Sequence, residues 1–268
     1  MLRFDAAQTG ALVAEFQSGR LFSLHERFVN IALRQSIISI LDDPSQMHGF
    51  GILVGSECIR SLHAELRHGS AMSISLEASV LAVGEGFVIE LRHCAIYDGT
   101  VKRCGLRRSA AEIASIMTGA ISRFLVSNPD RYVSSGDTFL RHERRILALA
   151  REESGDISGI IGVGRGLTPA GDDCITGALL AEDLLSPGSM IDRVAIEERL
   201  DRTNLPGRTL LKAALLGSYP AHAVRLAAAI CDNSADLDAA TIDTLKFGAS
   251  SGYDLCRGVL WCLAAYGN

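Results

Sequence analysis

The spacing of hydrophobic residues along the chain changes near residue 100, and the change predicts two kinds of structure. Between Gly49 and Tyr97 the apolar residues form short or alternating runs punctuated by glycine, which is typical of β-strands. These runs are 51–54, 71–76, 79–83 and 86–91. A hairpin between the last two is favoured by Gly84-Glu85-Gly86. This segment therefore predicts a small antiparallel sheet or a partly closed β-barrel.

Helical spacing dominates from residue 106 onward. Ser109 and Glu112 form a capping box ahead of apolar residues at helical spacing, so a helix is predicted over 109–126. Further helices are predicted near 138–152, 190–201, 207–216, 219–231, 236–246 and 253–266. An earlier helix is predicted from the apolar positions between Phe28 and Leu41. The expected fold is α+β, with a β-rich domain at 1–105 that includes the earlier helix and a helical bundle at 106–268.

Composition argues against several classes of function. The net charge of −5 and the pI near 5.8, without a basic stripe, argue against nucleic-acid binding. No apolar run reaches the ~18 residues of a membrane span, and the first residues do not resemble a signal peptide. The seven cysteines include no Cys-x-x-Cys pair, which predicts neither a disulfide framework nor a zinc site. A reduced, cytoplasmic setting without membrane contact is expected.

A glycine-dense loop around Gly164 and Gly166 precedes one of the apolar helical segments. Glycine at alternate positions permits backbone angles and close ligand approach that a Cβ atom would block. Thr168 and Pro169 are predicted as the N-cap and the first residue of a helix that begins near Ala170. The loop amides and the positive end of this helix favour a bound anion.

Two carboxylates, Asp172 and Asp173, lie in the first turn of that helix. They complement the helix dipole, but they would repel an anion unless a cation, a proton or a substrate N–H group lies between. The site is therefore predicted to take a ligand with hydrogen-bond donors, or a metal-bound anion. The simpler interpretation, that both aspartates only cap the helix, stays open.

The same pattern of glycine and aspartate returns before the last helix. Gly171, Asp173 and Gly177 align with Gly252, Asp254 and Gly258. The final glycine of each copy lies on an apolar helix, where a missing side chain lets another backbone come close. If the two helix starts face one another, Asp173 and Asp254 become a carboxylate pair.

The chain resembles the AllH-like protein family in three segments. They are the run from Gly164 to Asp173, the run from Gly248 to Asp254, and Phe28-Val29-Asn30 ahead of a loop at Pro44. The resemblance implies participation in the oxamate carbamoyltransferase assembly of allantoin degradation, a part of purine catabolism, together with partner subunits. The implied reaction is phosphorolysis of oxalurate to carbamoyl phosphate and oxamate, or the reverse carbamoyl transfer.

The predicted catalytic residues are Asp173 and Asp254, which would accept hydrogen bonds from carbamoyl or amide N–H groups. The predicted substrate-binding residues are Gly164, Gly166, Thr168, Gly171, Asp172, Ser250, Ser251, Gly252 and Asn30. The expected ligand is phosphate, carbamoyl phosphate, oxamate or oxalurate. No cofactor is expected, with Mg²⁺ as the alternative.

Two other functions stay open. One is a non-catalytic subunit that binds a metabolite or assists assembly. The other is a Mg²⁺-dependent phosphoryl-transfer enzyme, in which paired carboxylates would hold the cation. The sequence lacks the Gly-Lys-Ser/Thr loop of the common nucleotide-binding proteins, which argues against the second.

Overall fold

The computed structural model describes residues 1–68, 73–129, 137–152, 155–185 and 190–266. The chain divides into two compact units, Met1–Gly99 and Thr100–Asn268, called here the N-terminal unit and the helical unit. The first is built on a sheet and the second on helices, so the predicted α+β class is confirmed.

The N-terminal unit is a curled mixed sheet with one helix among its described residues. Its strands are β1 (Leu2–Asp5), β2 (Gln8–Gly10), β3 (Phe16–His25), β4 (Phe28–Ala32), β5 (Ile37–Leu41), β6 (Gly51–Leu53), β7 (Ile74–Glu77), β8 (Val80–Val83), β9 (Phe87–Glu90) and β10 (Ala95–Tyr97). They are ordered β1-β9-β8-β7-β3-β4-β5-β6-β2-β10. Helix α1 (Ser56–His68) buries Cys58, Ile59 and Leu62 in the same core as the strands.

Two predictions for this unit were wrong. The sheet is not purely antiparallel, because β1 pairs with β9, β5 with β6 and β2 with β10 in parallel. The predicted helix between Phe28 and Leu41 is instead the antiparallel pair β4 and β5, in which Phe28 lies opposite Leu41. Two short buried strands can also place apolar residues at helical spacing, and the high valine and isoleucine content favours the strands. The predicted run 71–76 lies partly outside the described residues, which resume at Ser73.

The helical unit follows the predicted order of elements. Its helices are α2 (Ala110–Ser127), α3 (Asp137–Glu152), α4 (Ala170–Leu185), α5 (Arg193–Glu198), α6 (Leu205–Leu215), α7 (Ala221–Cys231), α8 (Leu237–Leu245) and α9 (Ser251–Tyr266). The capping box that begins α2 is present, with Ser109 and Glu112 each accepting from the other's backbone amide. Every residue of α4 except Asp183 is buried. Helix α4 is therefore the centre of this unit.

The aligned glycines make the contact between α4 and α9 possible. A Cβ atom on Gly177 would lie 2.0 Å from the carbonyl oxygen of Leu255, and one on Gly258 would lie 1.8 Å from that of Cys174. Each helix thus presents its glycine to the backbone of the other. The first glycines of the motifs match as well, since a Cβ atom on Gly171 would lie 1.9 Å from the carbonyl oxygen of Ile160 and one on Gly252 would lie 1.8 Å from that of Thr244. The repeat seen in the sequence is therefore a repeat in packing.

Helix α2 is long and apolar enough to cross a membrane by length and composition, the one such helix among the described residues. The expectation that no segment would meet this test was wrong. Its buried side chains are Ile113, Met117, Ala120, Ile121 and Phe124, and it packs against α8 and α9. One face of α2 therefore lies in the core of this unit.

A disulfide bond joins Cys104, before α2, to Cys231 at the end of α7. Cysteine spacing did not predict it, because the two residues are 127 positions apart. The other cysteines are free thiols. The same corner is held by Arg108, whose guanidinium donates to the carbonyl oxygens of Ala229, Asp232, Asn233 and Ala235.

Candidate functional site

The first glycine loop is exposed and keeps unused donors. Gly164 and Gly166 have φ values of +116° and +114°, which glycine adopts without the strain that a side chain would bring. The residues from Gly164 to Leu167 are exposed. Within the described part of the chain, the amides of Gly164, Arg165 and Gly166 make no hydrogen bond. They remain available to a bound oxyanion.

Several amides in the first turns of the motif helices already have acceptors. The pairs are Gly171 N to Val163 O (2.8 Å), Asp172 N to Pro169 O (2.9 Å), Gly252 N to Phe247 O (3.2 Å) and Asp254 N to Ser250 O (3.0 Å). An anion at these helix starts would have to displace bonds that the fold uses. The exposed loop before α4 therefore offers donors that these helix-start amides do not.

The two motifs meet through their hydroxyl groups. Thr168 Oγ1 donates to Asp173 Oδ2 at 3.0 Å and lies 3.2 Å from Ser251 Oγ. The predicted N-cap role of Thr168 is thus replaced by a bond to a carboxylate of the helix. Because Thr168 precedes α4 and Ser251 begins α9, the starts of the two helices lie together.

Asp173 and Asp254 form a buried acid pair. Asp173 is 5% exposed and Asp254 is fully buried. Burial raises the pKa of Asp173 well above its usual range, and the Asp254 charge raises it further. Burial also raises the pKa of Asp254 to about 7. The pair therefore holds at least one proton near neutral pH, as expected for two close carboxylates in a dry environment.

Within the described residues, the buried side chain of Asp254 lacks hydrogen-bond partners. Neither of its carboxylate oxygens makes a hydrogen bond of normal geometry within the described residues. The Ser250 hydroxyl and the Arg257 charge lower its pKa without overcoming the effect of burial. A buried acceptor without a partner is costly, so Asp254 is suited to a ligand that brings a donor.

Residues 160–263 match the protein family described as oxamate carbamoyltransferase subunit AllH. This part of the chain is similar to that family, and it is called here the AllH-like region. Comparisons with curated proteins and with solved structures gave no match. The AllH-like region contains both glycine motifs and the acid pair.

One predicted contact lies outside the AllH-like region. Asn30 is on β4 of the N-terminal unit and is 3% exposed. Its amide nitrogen donates to Ser23 Oγ at 3.0 Å, and its amide oxygen accepts from Ser39 Oγ at 2.7 Å. These bonds give Asn30 a structural role between neighbouring strands, and its substrate contact stays a prediction.

Sequence reasoning missed a partly buried ion pair that acts on the acid pair. Arg257 of α9 donates through Nη2 to Oε2 of Glu143 on α3. The signal for Arg257 was its position three residues after Asp254, which places both side chains on one side of a helix. Of two other arginines in the helical unit, Arg165 is exposed on the glycine loop and Arg208 donates through Nε to the Leu200 carbonyl oxygen.

Asp172 braces the loop of the AllH-like region. Its Oδ1 accepts the Gly162 amide at 2.8 Å, and its Oδ2 accepts the Thr203 hydroxyl. A Cβ atom on Gly207 would lie 2.0 Å from Oδ2, so α6 also packs tightly on this carboxylate. Both oxygens are engaged in holding the fold, and substrate binding by Asp172 stays a prediction.

Asp172→Ala is expected to lower the free energy of unfolding by about 2 kcal/mol, since two buried donors lose their acceptor. Urea unfolding at pH 4 measures it, because burial raises the pKa of Asp172 to about 6, so the stability that its carboxyl group contributes is present at low pH and falls as the pH rises through 6. The exposed Asp201→Ala is the control, with an expected change within about 0.5 kcal/mol. Equal effects of the two variants would refute the bracing role.

The Mg²⁺ alternative gains no support from the described part of the chain. Among the described residues, no three His, Cys, Asp or Glu side chains are grouped to hold an ion. Cys174 also gains no reactive character, because burial raises the pKa of its thiol well above the usual range.

Proposed function

We propose that this chain is a subunit of an oxamate carbamoyltransferase-type enzyme and binds the carbamoyl substrate between its two glycine motifs. The observation that carries the proposal is that the AllH match spans both motifs, whose helix starts meet around Asp173 and Asp254. The buried acids accept N–H groups of the carbamoyl end. The exposed amides of Gly164 to Gly166 donate to the oxyanion.

In phosphorolysis, a phosphate oxygen forms a bond to the ureido carbonyl carbon of oxalurate, and the bond from that carbon to the oxamate nitrogen breaks. The departing nitrogen requires a proton. Asp173 is the proposed donor, because burial and the Asp254 charge favour its protonated form. The remaining contribution is positioning of phosphate against the carbonyl.

Asp173→Asn in the complex with partner subunits tests the proposal. A lost proton donor is expected to reduce kcat by roughly 100-fold or more. Asp243→Asn, an exposed aspartate of α8 paired only with Lys246 among the described residues, should keep turnover within about twofold. Wild-type kcat in an assembled Asp173→Asn complex would exclude this assignment.

A non-catalytic assembly subunit is the second candidate. One feature favours it: several amides at the helix starts are already bonded within the fold. Under this function, Asp173→Asn would weaken complex formation before it changed ligand affinity. Mass measurement of the complex during size-exclusion chromatography separates the two candidates.

A further inference from the structure

The charge of a hydrogen-bond donor, Arg257, acts on the unpartnered carboxylate of Asp254. Arg257 follows it by three residues on α9, so the two side chains project from the same side of the helix. The Arg257 side chain is 20% exposed, whereas that of its partner Glu143 is 2% exposed. The guanidinium therefore lies at the edge of the buried acid cluster.

The Arg257 guanidinium has unused hydrogen-bonding capacity. It carries five N–H groups in a planar fork, and Glu143 takes a donor on Nη2. Its Nε and Nη1 donors make no other hydrogen bond within the described residues. The Tyr253 ring lies 5.5 Å from the guanidinium carbon and helps to fix its plane. Glu143 and Tyr253 thus orient the group while leaving donors free.

An unpartnered acceptor beside an oriented donor is complementary to a carboxamide, which offers an N–H donor and a carbonyl acceptor in one plane. We propose that Asp254 and Arg257 form a carboxamide-recognition site, in which the carboxylate accepts the ligand N–H and the guanidinium donates to the ligand carbonyl. Glu143 is a positioning residue for the guanidinium. The inference rests on the proposed function, because it assigns the carbamoyl or amide end of the substrate to these two residues.

The charges around the site set the direction in which the ligand binds. Asp172, Asp173, Asp254 and Glu143 supply four buried carboxyl groups, and Arg257 is the cation that acts on Asp254. Repulsion disfavours an anionic group at this depth. The carboxylate of an α-amido acid therefore points outward to the exposed loop amides, and the loops before α4 and α9 must move to admit the amide end.

The test compares three probes on the purified full chain at matched ionic strength. Oxamate carries a carboxamide and a carboxylate, oxalate has no amide, and N,N-dimethyloxamate has no N–H group. With oxamate up to about 100 mM, which fills even a millimolar site, the thermal midpoint should rise by several degrees. The other two probes should shift it by less than a third as much. Equal shifts for oxalate and oxamate, or no shift for oxamate, would overturn the proposal.

The variant that separates recognition from folding removes both charges of the pair at once. Glu143→Gln combined with Arg257→Gln leaves no unpaired buried charge, which single changes would. The double variant should bind oxamate at least tenfold more weakly, with the small oxalate response unchanged. Arg257→Lys should be weakened as well, because an ammonium lacks the planar fork. Wild-type oxamate affinity in a folded double variant would refute the assignment.

Failure of this inference and failure of the proposed function give different results. Oxamate binding with normal turnover of the Asp173→Asn assembly would keep the carboxamide site and exclude the proposed catalysis. Equal binding of oxalate and oxamate, with turnover lost in Asp173→Asn, would exclude the carboxamide site and keep the proposed function.

Discussion

Gly258→Ala is expected to lower the free energy of unfolding of the helical unit by more than about 3 kcal/mol. The added methyl would lie 1.8 Å from the carbonyl oxygen of Cys174 and 2.8 Å from the amide nitrogen of Ala178. Both are backbone atoms of a buried helix, so no side chain can rotate away. Relief requires α4 and α9 to separate, which opens gaps along the centre of the unit. Urea unfolding followed by far-ultraviolet circular dichroism measures the loss.

Gly119→Ala is the matched control. Gly119 is also inside a helix, α2, but its new Cβ atom would meet only Arg123 Nη1 at 3.4 Å, the end of a flexible side chain. Alanine favours the helix by up to about 1 kcal/mol, so this variant should be as stable as the native chain or more stable. If Gly258→Ala were tolerated like Gly119→Ala, the close crossing of α4 and α9 would be incorrect.

The close crossing of α4 and α9 could be predicted from the sequence because its cause is local and occurs in both helices. A glycine inside an apolar helix is unfavourable, and two such glycines at one spacing from two aspartates indicate a common reason for both. The common reason is the close packing of α4 and α9, because Gly177 and Gly258 each face the backbone of the other helix. The boundaries of α2 were predicted equally well, since the capping box and the apolar spacing both lie within one segment.

Features that depend on residues far apart in the chain could not be predicted from the sequence. The strands β4 and β5 have the apolar spacing of a helix, and only pairing with each other and with the rest of the sheet makes them strands. The disulfide joins Cys104 and Cys231 from separate elements. Glu143 reaches the acid cluster from α3, which no motif connects to α9.

The candidate site was predicted in part. The sequence brought Asp173 and Asp254 into one hypothesis because their motifs match, and the structure brings the starts of their helices together. It could not show that Asp172 and Asp173 contact different elements, because the side-chain directions of neighbouring residues at a helix start depend on the folded backbone. Asp172 points to Gly162 and Thr203, whereas Asp173 points to Thr168.

Asp254→Asn is expected to stabilise the chain at neutral and alkaline pH. Burial raises the pKa of Asp254 from 3.8 to about 7, so the folded chain binds this proton more tightly than the unfolded chain. The contribution of the group to stability is therefore fully present below pH 4 and falls as the pH rises to about 7. Asparagine has no such titration. The substitution also removes the Asp254 charge that raises the pKa of Asp173. Loss of this repulsion likewise stabilises the folded chain at neutral and alkaline pH.

The gain should be absent at pH 4 and reach roughly 2–4 kcal/mol above pH 7, at about 1.4 kcal/mol per unit of pKa shift. Urea unfolding of both proteins from pH 4 to pH 9 measures it, with the exposed Asp243→Asn as the control that should give a flat difference. A loss of stability at pH 8 would mean that the Asp254 carboxylate has a strong partner in the folded chain. The expected gain instead makes Asp254 a residue that costs the fold stability at neutral pH, as binding residues often do, since their polar atoms await a ligand.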